Sequence, residues 1–253
     1  MTLFTPFELS LADLDNSEQL NDLVLEHSLV LLRNHKIASR EQLIEFAEKL
    51  GKLMAWDFGL VNELKVDVAA KNYLYSHEDV PFHWDGAFQQ SPAILLFHCL
   101  KAPISGHGGE TLFTNTTKLY EQASSEQQQF WHTLLINYQT EKVAHYGGSI
   151  TQSMVASHPI TRKPILRYAE PVMTRLNPVS VTIESMNPAA MQEFIVAMSQ
   201  LIRNKTVCYA HQWQDGDVIL ADNHALIHGR KAIHTSSPRH IRRVQVAELF
   251  NQE

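Results

Sequence analysis

The sequence predicts a mainly β protein with helices packed outside a β core. Three observations lead there. Apolar runs of strand length outnumber the stretches with helical spacing. Most of those runs are bounded by Gly or Pro, alone or in pairs such as Asp-Gly and Gly-Gly. The 253 residues show no internal repeat, linker or low-complexity tract, so one domain over residues 1–253 is expected, long enough for a sizeable core.

In chain order, DNSEQLNDLVLEHS sets Leu20, Leu23 and Val24 at helical spacing, with capping residues between Asp15 and Ser17. LVLLRN, Leu29 to Asn34, is a continuous apolar run and reads as a buried strand. SREQLIEFAEKLGKL predicts a helix with Ser39 as N-cap, Gln42 at capping-box spacing and Gly51 as the stop. Met54 to Asn72 reads as a loop with a short strand, placed to cover a substrate. Tyr73 to Ser76 reads as a strand leading into FHWDGAF, Phe82 to Phe88. SPAILLFHCLKAP, Ser91 to Pro103, is a strand closed by Pro103. Gly108-Gly109 forms a turn into a strand through Thr111 and Phe113, and a helix is expected from Thr116 to Phe130. Leu134 to Pro188 alternates short β runs, with VASHPITRKPILRYAEP as a hairpin. Asn187 to Asn204 is an amphipathic helix with Pro188 in its first turn, and its Met and Phe positions read as core. An Asp215-Gly216 turn precedes the strand DVILADN, and RHIRRVQVAELF predicts a final strand.

Composition excludes several functions. The formal net charge is -6 and no basic stripe dominates, which argues against a nucleic-acid partner. No apolar run is long enough for a membrane span. The N-terminus lacks the basic and apolar regions of a signal peptide. Cys99 and Cys208 make no disulfide framework. Together these suit a reducing cytoplasm.

The chemistry is concentrated in FHWDGAF. On a strand, residues i and i+2 share a face, so the imidazole of His83 and the carboxylate of Asp85 converge. A third ligand must come from elsewhere, and the best candidate is His228 in ILADNHALIHGR. Two histidines and one carboxylate form the facial triad of non-haem Fe(II) oxygenases. His224 and His234 are rival ligands, and Asp85-Gly86 is also the pattern of a plain turn.

Beyond the triad, GGETLFTNT, WQDGDVILADNHALIHGR and SPRHIRRVQV resemble the TauD/TfdA group of Fe(II)/2-oxoglutarate dioxygenases, and the early LVLLRN and FAEKLGKL extend the likeness over most of the chain. The resemblance implies a double-stranded β-helix, the cupin-like jelly roll. It implies Fe(II) held by His83, Asp85 and His228, with 2-oxoglutarate as cosubstrate and O2 as oxidant. The 145-position separation of His83 and His228 suits that family. So does Arg239, eleven residues past His228, where members grip 2-oxoglutarate; this spacing favours His228 over its rivals. Thr111 matches the threonine that helps bind the same carboxylate, and Arg243 matches a second arginine that faces substrate.

Physical reasons stand beside the likeness. The triad leaves three positions, two for a chelating 2-oxo acid and one for O2. A remote carboxylate calls for a bidentate, permanently charged arginine. Arg239 and Arg243, four apart, share a strand face, whereas Arg242 faces the other way. The competing readings are a solvated basic cluster at RHIRR, and Arg243 paired with Glu248 or another acidic neighbour.

A finer resemblance, to PvcB-like oxygenases, rests on HWDGAF, the strand ending FHC and KAP, and GGETLF. It implies desaturation or hydroxylation of a small acid, a tyrosine- or tryptophan-derived isonitrile, in secondary metabolism. Tyr75, Phe82, Trp84 and Phe88 are then expected as walls for the ring, with Arg243 on the carboxylate. The alternatives are a hydroxylase of another small acid, such as a sulfonate or free amino acid, and a jelly-roll binding protein with a vestigial metal site.

Overall fold

The continuous apolar runs of this chain become strands because both of their faces are covered. The structure, a computed structural model, describes residues 2–9, 17–35, 37–57, 59–67, 69–143 and 146–250. The chain opens with β1 (Phe7–Leu9), α1 (Ser17–His27), β2 (Leu29–Leu32), α2 (Arg40–Glu48), β3 (Gly51–Leu53) and β4 (Val61–Lys65). A 3-10 helix (Tyr73–Tyr75) leads to β5 (Val80–His83), β6 (Ile94–Lys101) and β7 (Thr111–Asn115). Next come α3 (Thr116–Gln122), α4 (Ser125–His132), β8 (Leu135–Val143), β9 (Tyr146–Ser153), β10 (Val155–Ser157), β11 (Pro164–Leu166) and β12 (Ser180–Ile183). The chain closes with α5 (Pro188–Ile202), β13 (Cys208–His211), β14 (Val218–Asp222), β15 (Leu226–Arg230) and β16 (His240–Leu249).

One large sheet runs β1-β2-β14-β6-β16-β3, with β4 also on β16, and a four-stranded sheet runs β13-β7-β15-β5. The two face each other as a jelly roll. Side-chain alternation divides each central strand between two cores. Leu29, Leu31, Phe97, Ile219 and Ile241 point inward to meet Phe113 and Leu226 of the smaller sheet. Val30, Leu32, Leu96, Leu220 and Val244 point outward and are covered by Leu20 and Val24 of α1 and Leu43 and Ala47 of α2. A third core lies under the β12-β8-β9 sheet and α5, around Trp131, Tyr138, Phe194 and Ile202. The predicted mainly β jelly roll with flanking helices is what forms.

Most elements fall where the sequence places them. Ser39 caps α2, accepting from Gln42 N at 3.2 Å, while the Gln42 side chain reaches back to Ala38 N at 2.9 Å. The hairpin in VASHPITRKPILRYAEP is β10 paired with β11, and Asn187 caps α5. Asp15 and Asn16 lie outside the described residues.

Four readings are corrected. Gly51 does not stop α2 by a left-handed turn; it opens β3, where a Cβ would come within 1.9 Å of the Glu248 carbonyl. Tyr73 to Ser76 is not a strand, because Asn72 accepts from Leu74 N and starts a 3-10 turn. The helix after Thr116 is two helices, because Ser124 caps a second one by accepting from Gln127 N. Asp85 lies past the end of β5, in a turn, rather than on the strand with His83.

Candidate metal centre and the cavity beside it

Strands β5 and β15 pair antiparallel with His83 directly opposite His228. Their rings lie 4.4 Å apart, centre to centre. Gly229 permits this approach, since a Cβ there would stand 2.7 Å from the Val80 carbonyl. Asp85 reaches the pair from the turn after β5. Gly86 follows at φ +79°, where an added Cβ would meet the Gln90 carbonyl at 2.2 Å, so the turn requires glycine. Asp85 Oδ1 lies 3.6 Å from His83 Nε2 and 3.8 Å from His228 Nε2. One ligand atom from each of the three residues lies within 4.8 Å of the others.

The surroundings set the state of each group. His83 Nδ1 is 2.9 Å from the Pro81 carbonyl. A carbonyl only accepts, so Nδ1 carries the proton and Nε2 turns its lone pair to the centre. Burial, with His83 alongside, holds His228 well below the usual histidine range, against the pull of Asp85. Burial alone would raise Asp85. Arg243, His83 and His228 together outweigh it, and the carboxyl is held well below its usual range. Arg243 Nη1 donates to Asp85 Oδ2 at 2.7 Å and Gln245 Nε2 donates to the same oxygen. Two imidazoles and an ionised carboxylate, with Oδ1 toward both rings, are the donor set of an Fe(II) facial triad, and the residues fit that metal.

Neither rival histidine joins the cluster. His224 Nδ1 takes a bond from Arg167 at 2.7 Å, and His234 Nδ1 meets Ser236 at 2.8 Å.

On one side of the triad lies a cavity bordered by Thr111, His228, Arg230, Arg239 and Arg243. Arg239 is 8% exposed, and its bonds go to neutral oxygens, Gly109 O at 3.2 Å and Thr111 Oγ1 at 3.3 Å. It has no acidic partner within ion-pair distance among the described residues. Burial, with Arg230 nearby, pulls this guanidinium down to about 9. Trp213 Nε1 also donates to Thr111 Oγ1, at 3.0 Å. The threonine oxygen thus accepts twice, and its own proton is free to turn elsewhere.

On the other side is a larger cleft of about 950 Å³, open mouth included. Tyr75, Trp84, Phe88 and Tyr138 line it, and His83 and Arg243 border both spaces. Tyr75 bonds Asn62 through its hydroxyl at 3.0 Å. Phe82 is the exception among the expected walls. It is fully buried in the core, because its neighbour His83 takes the metal-facing side of β5. Arg243 faces inward as its parity with Arg239 requires, and its partner is Asp85. Glu248 lies at the other end of β16, paired in register with Lys52, and Arg242 turns outward to Glu63 at 3.2 Å.

Three further residues escape sequence reasoning. Asn223 accepts from Asp85 N at 3.0 Å and donates to Asp85 O at 3.0 Å and Pro92 O at 2.9 Å. Gln245 holds Asp85 Oδ2. Arg230 gathers the carbonyls of Leu74, Ser76 and Glu78, tying the 3-10 segment to the strand that carries His228. Asn223 and Arg230 sit inside ADNHALIHGR, but nothing in the spacing says what they reach.

Known proteins share this architecture. The chain is 43% identical over 233 residues to the 3-((Z)-2-isocyanoethenyl)-1H-indole synthase of Fischerella ambigua, covering 90% of this chain and 85% of that one. It is 32% identical over 236 residues to the tyrosine isonitrile desaturase of Pseudomonas aeruginosa, covering 91% and 81%. Among solved structures, PvcB from Pseudomonas aeruginosa superposes with a TM-score of 0.79 at 29% identity over 96% of this chain and 87% of that one. A second structure of PvcB, described as an Fe, alpha-ketoglutarate dependent oxygenase from an isonitrile synthetic pathway, gives 0.78 at the same identity and coverage. The model of the taurine catabolism dioxygenase TauD, TfdA family matches residues 4–245, a span that contains the triad, both inward arginines and Thr111, and the chain belongs to that family of dioxygenases.

Proposed function

We propose that the chain acts as one Fe(II)- and 2-oxoglutarate-dependent oxygenase domain. It desaturates or hydroxylates a small aromatic acid, the isonitrile derived from tryptophan or tyrosine. The observation that carries this is the pairing of the His83–Asp85–His228 cluster with a buried arginine that has no acidic partner among the described residues. Bound by those three residues, iron supplies the activation of O2 that removes hydrogen from the substrate.

The chain's own residues do the rest. Arg239 offers a charged fork to the remote carboxylate of 2-oxoglutarate, which neutralises a guanidinium now facing only neutral oxygens. Thr111 adds its hydroxyl, since its oxygen is already filled by Trp213 and Arg239. On the other side, Tyr75, Trp84 and Phe88 pack the ring. Arg243 borders both spaces, and its Nε has no hydrogen-bond partner, so it can turn a donor to the substrate carboxylate while Nη1 stays on Asp85. The aromatic walls exclude water from the reacting carbon. The two relatives named above make an indole isonitrile and desaturate a tyrosine isonitrile, which supports the same substrate class here. The proposal includes a small-molecule partner and a cytoplasmic setting, and the free thiols of both described cysteines suit a reducing compartment. No described helix is long and apolar enough to cross a membrane.

The test has two parts. Anaerobic protein with Fe(II) and 2-oxoglutarate should develop a weak visible charge-transfer band. Under air, the tryptophan and tyrosine isonitrile acids should drive succinate formation and give a product that has lost two hydrogens or gained one oxygen. No band, or succinate formation unmoved by any isonitrile acid, rejects the proposal.

A further inference from the structure

Asp85 has two oxygens, and the structure treats them differently. Oδ1 faces the two imidazoles, while Oδ2 takes Arg243 Nη1 at 2.7 Å and the Gln245 amide. Gln245 is 4% exposed and shares the inward face of β16 with Arg243. Beyond Gln245 stands Trp56, whose Nε1 meets Gln245 Oε1. A glutamine amide has two nearly identical orientations. Here chemistry chooses between them. The indole N–H only donates, so the atom it meets is the carbonyl oxygen, and the NH2 must face Asp85. Flipped, the amide would set an oxygen against a carboxylate.

The tryptophan is itself held. Trp56 and Gly59 exchange backbone bonds at 3.1 and 2.8 Å, with Gly59 at φ +90°, and Met54 N donates to Gln245 O at 2.8 Å. Trp56 and Gln245 both line the substrate cleft. One hydrogen-bonded chain thus runs from a wall of that cleft to a ligand of the metal centre.

We propose that Trp56 and Gln245 are positioning residues for Asp85. Trp56 fixes the amide, and Gln245 with Arg243 keeps Oδ2 turned away, so that Asp85 meets the metal through Oδ1 alone. A carboxylate bound through both oxygens would take a position that the 2-oxo acid or O2 needs. This rests on the reading of the cluster as a metal centre.

The test compares wild type with Trp56→Phe, Gln245→Leu and the double variant. Trp56→Phe keeps the ring and removes the donor. Anaerobic Mn(II) titration followed by electron paramagnetic resonance reads affinity, and the visible spectrum of the Co(II) form reads coordination. Gln245→Leu should weaken Mn(II) binding roughly 10–100-fold and change the Co(II) band intensities. Trp56→Phe should shift both the same way by a smaller step, about 3–10-fold in affinity. The double variant should be no weaker than Gln245→Leu, since the two residues act in series. If Gln245→Leu does not fold, Trp56→Phe decides alone. Trp56→Phe with wild-type affinity and spectrum overturns the proposal, as do additive losses in the double variant. Wild-type protein that takes up neither Mn(II) nor Co(II) removes the metal centre, and both readings fall. Metal uptake with an unmoved Trp56→Phe removes the relay alone.

Discussion

Replacing Asn223 by alanine should loosen Asp85 without touching a metal ligand. The Asn223 side chain is buried at 1% exposure and makes three hydrogen bonds. Two of them close a ring with the amide and carbonyl of Asp85, and the third holds Pro92 O. Asn223→Ala leaves an N–H and two carbonyls unpaired where water is scarce. At about 1 kcal/mol net per bond the loss is roughly 3 kcal/mol. For a chain of this length that lowers the melting temperature by about 6–12 °C. The turn from Trp84 to Gln90 would then no longer set Asp85, and Mn(II) affinity should fall roughly 10–100-fold. Asn223→Asp keeps the acceptor for Asp85 N–H but loses both donors and turns a negative oxygen toward two carbonyls. It should do no better. Thermal unfolding of the metal-free protein and a Mn(II) titration measure the two effects separately. An Asn223→Ala protein that melts and binds Mn(II) as wild type does would show that the Gly86 turn holds Asp85 unaided.

Other outcomes follow from the same geometry. His83→Ala, Asp85→Ala and His228→Ala should each abolish the Fe(II)/2-oxoglutarate charge-transfer band, whereas His224→Ala should keep it; the reverse result for His228 and His224 would reassign the distal ligand. Arg239→Lys should raise the 2-oxoglutarate KM, by roughly 2–5 kcal/mol of lost binding, while Mn(II) affinity stays close to wild type. At saturating metal, wild type should prefer a free acid over its methyl ester and Arg243→Met should not; equal preference in both proteins removes Arg243 from the substrate. Acid should destabilise the fold through His98. Burial, with Arg242, His35 and His240 nearby, lowers this imidazole to about 4. The unfolded chain therefore binds more protons between about pH 6.5 and 4, so stability is full above that window and falls as pH drops through it, by up to about 3 kcal/mol. Urea unfolding of wild type and His98→Gln at pH 7 and pH 5 checks this, and an equal pH response in the two proteins would exclude His98 as a source.

What was legible in the sequence is what repeats along one strand. LVLLRN, SPAILLFHCLKAP and DVILADN read as buried strands because helices cover one face and the second sheet covers the other. The parity of Arg239 and Arg243 held because β16, which begins at the next residue, His240, reaches Arg243 without a bulge of its own; the register slip beside it falls on β6, between Cys99 and Lys101. The spacing of His83 and Asp85 also pointed to two side chains that the structure brings together, although for a reason that does not apply. Asp85 reaches the centre through a glycine turn and an Asn223 clamp, not through strand alternation. Contacts between distant segments left no trace in spacing. Asn223 meets Asp85 across 138 residues and Trp56 meets Gln245 across 189. The two missed boundaries did carry local signals. Ser124 stands three residues before Gln127, as in a capping box, and Asn72 stands two before Leu74, as in an Asx turn.

The charges of the site explain why it should take two anions. Asp85 is the one carboxylate among its described ligands, and Arg243 already holds one of its oxygens. A divalent cation beside Asp85 adds positive charge within reach of Arg243 and near Arg239, and burial keeps water from screening it. Arg230 is a third cation at the same cavity, with its fork spent on three carbonyls. Metal alone therefore leaves the interior strongly positive. The dianion of 2-oxoglutarate relieves this at Arg239, and a substrate carboxylate relieves it at the free edge of Arg243. Each anion should bind more tightly after the metal than before it, and the acid substrate more tightly than its ester. The coupling must run both ways. Mn(II) affinity should rise when 2-oxoglutarate is present, and the gain should shrink in Arg239→Lys, where the carboxylate loses its fork. A Mn(II) affinity indifferent to 2-oxoglutarate would mean that the cosubstrate neither chelates the metal nor neutralises this cavity.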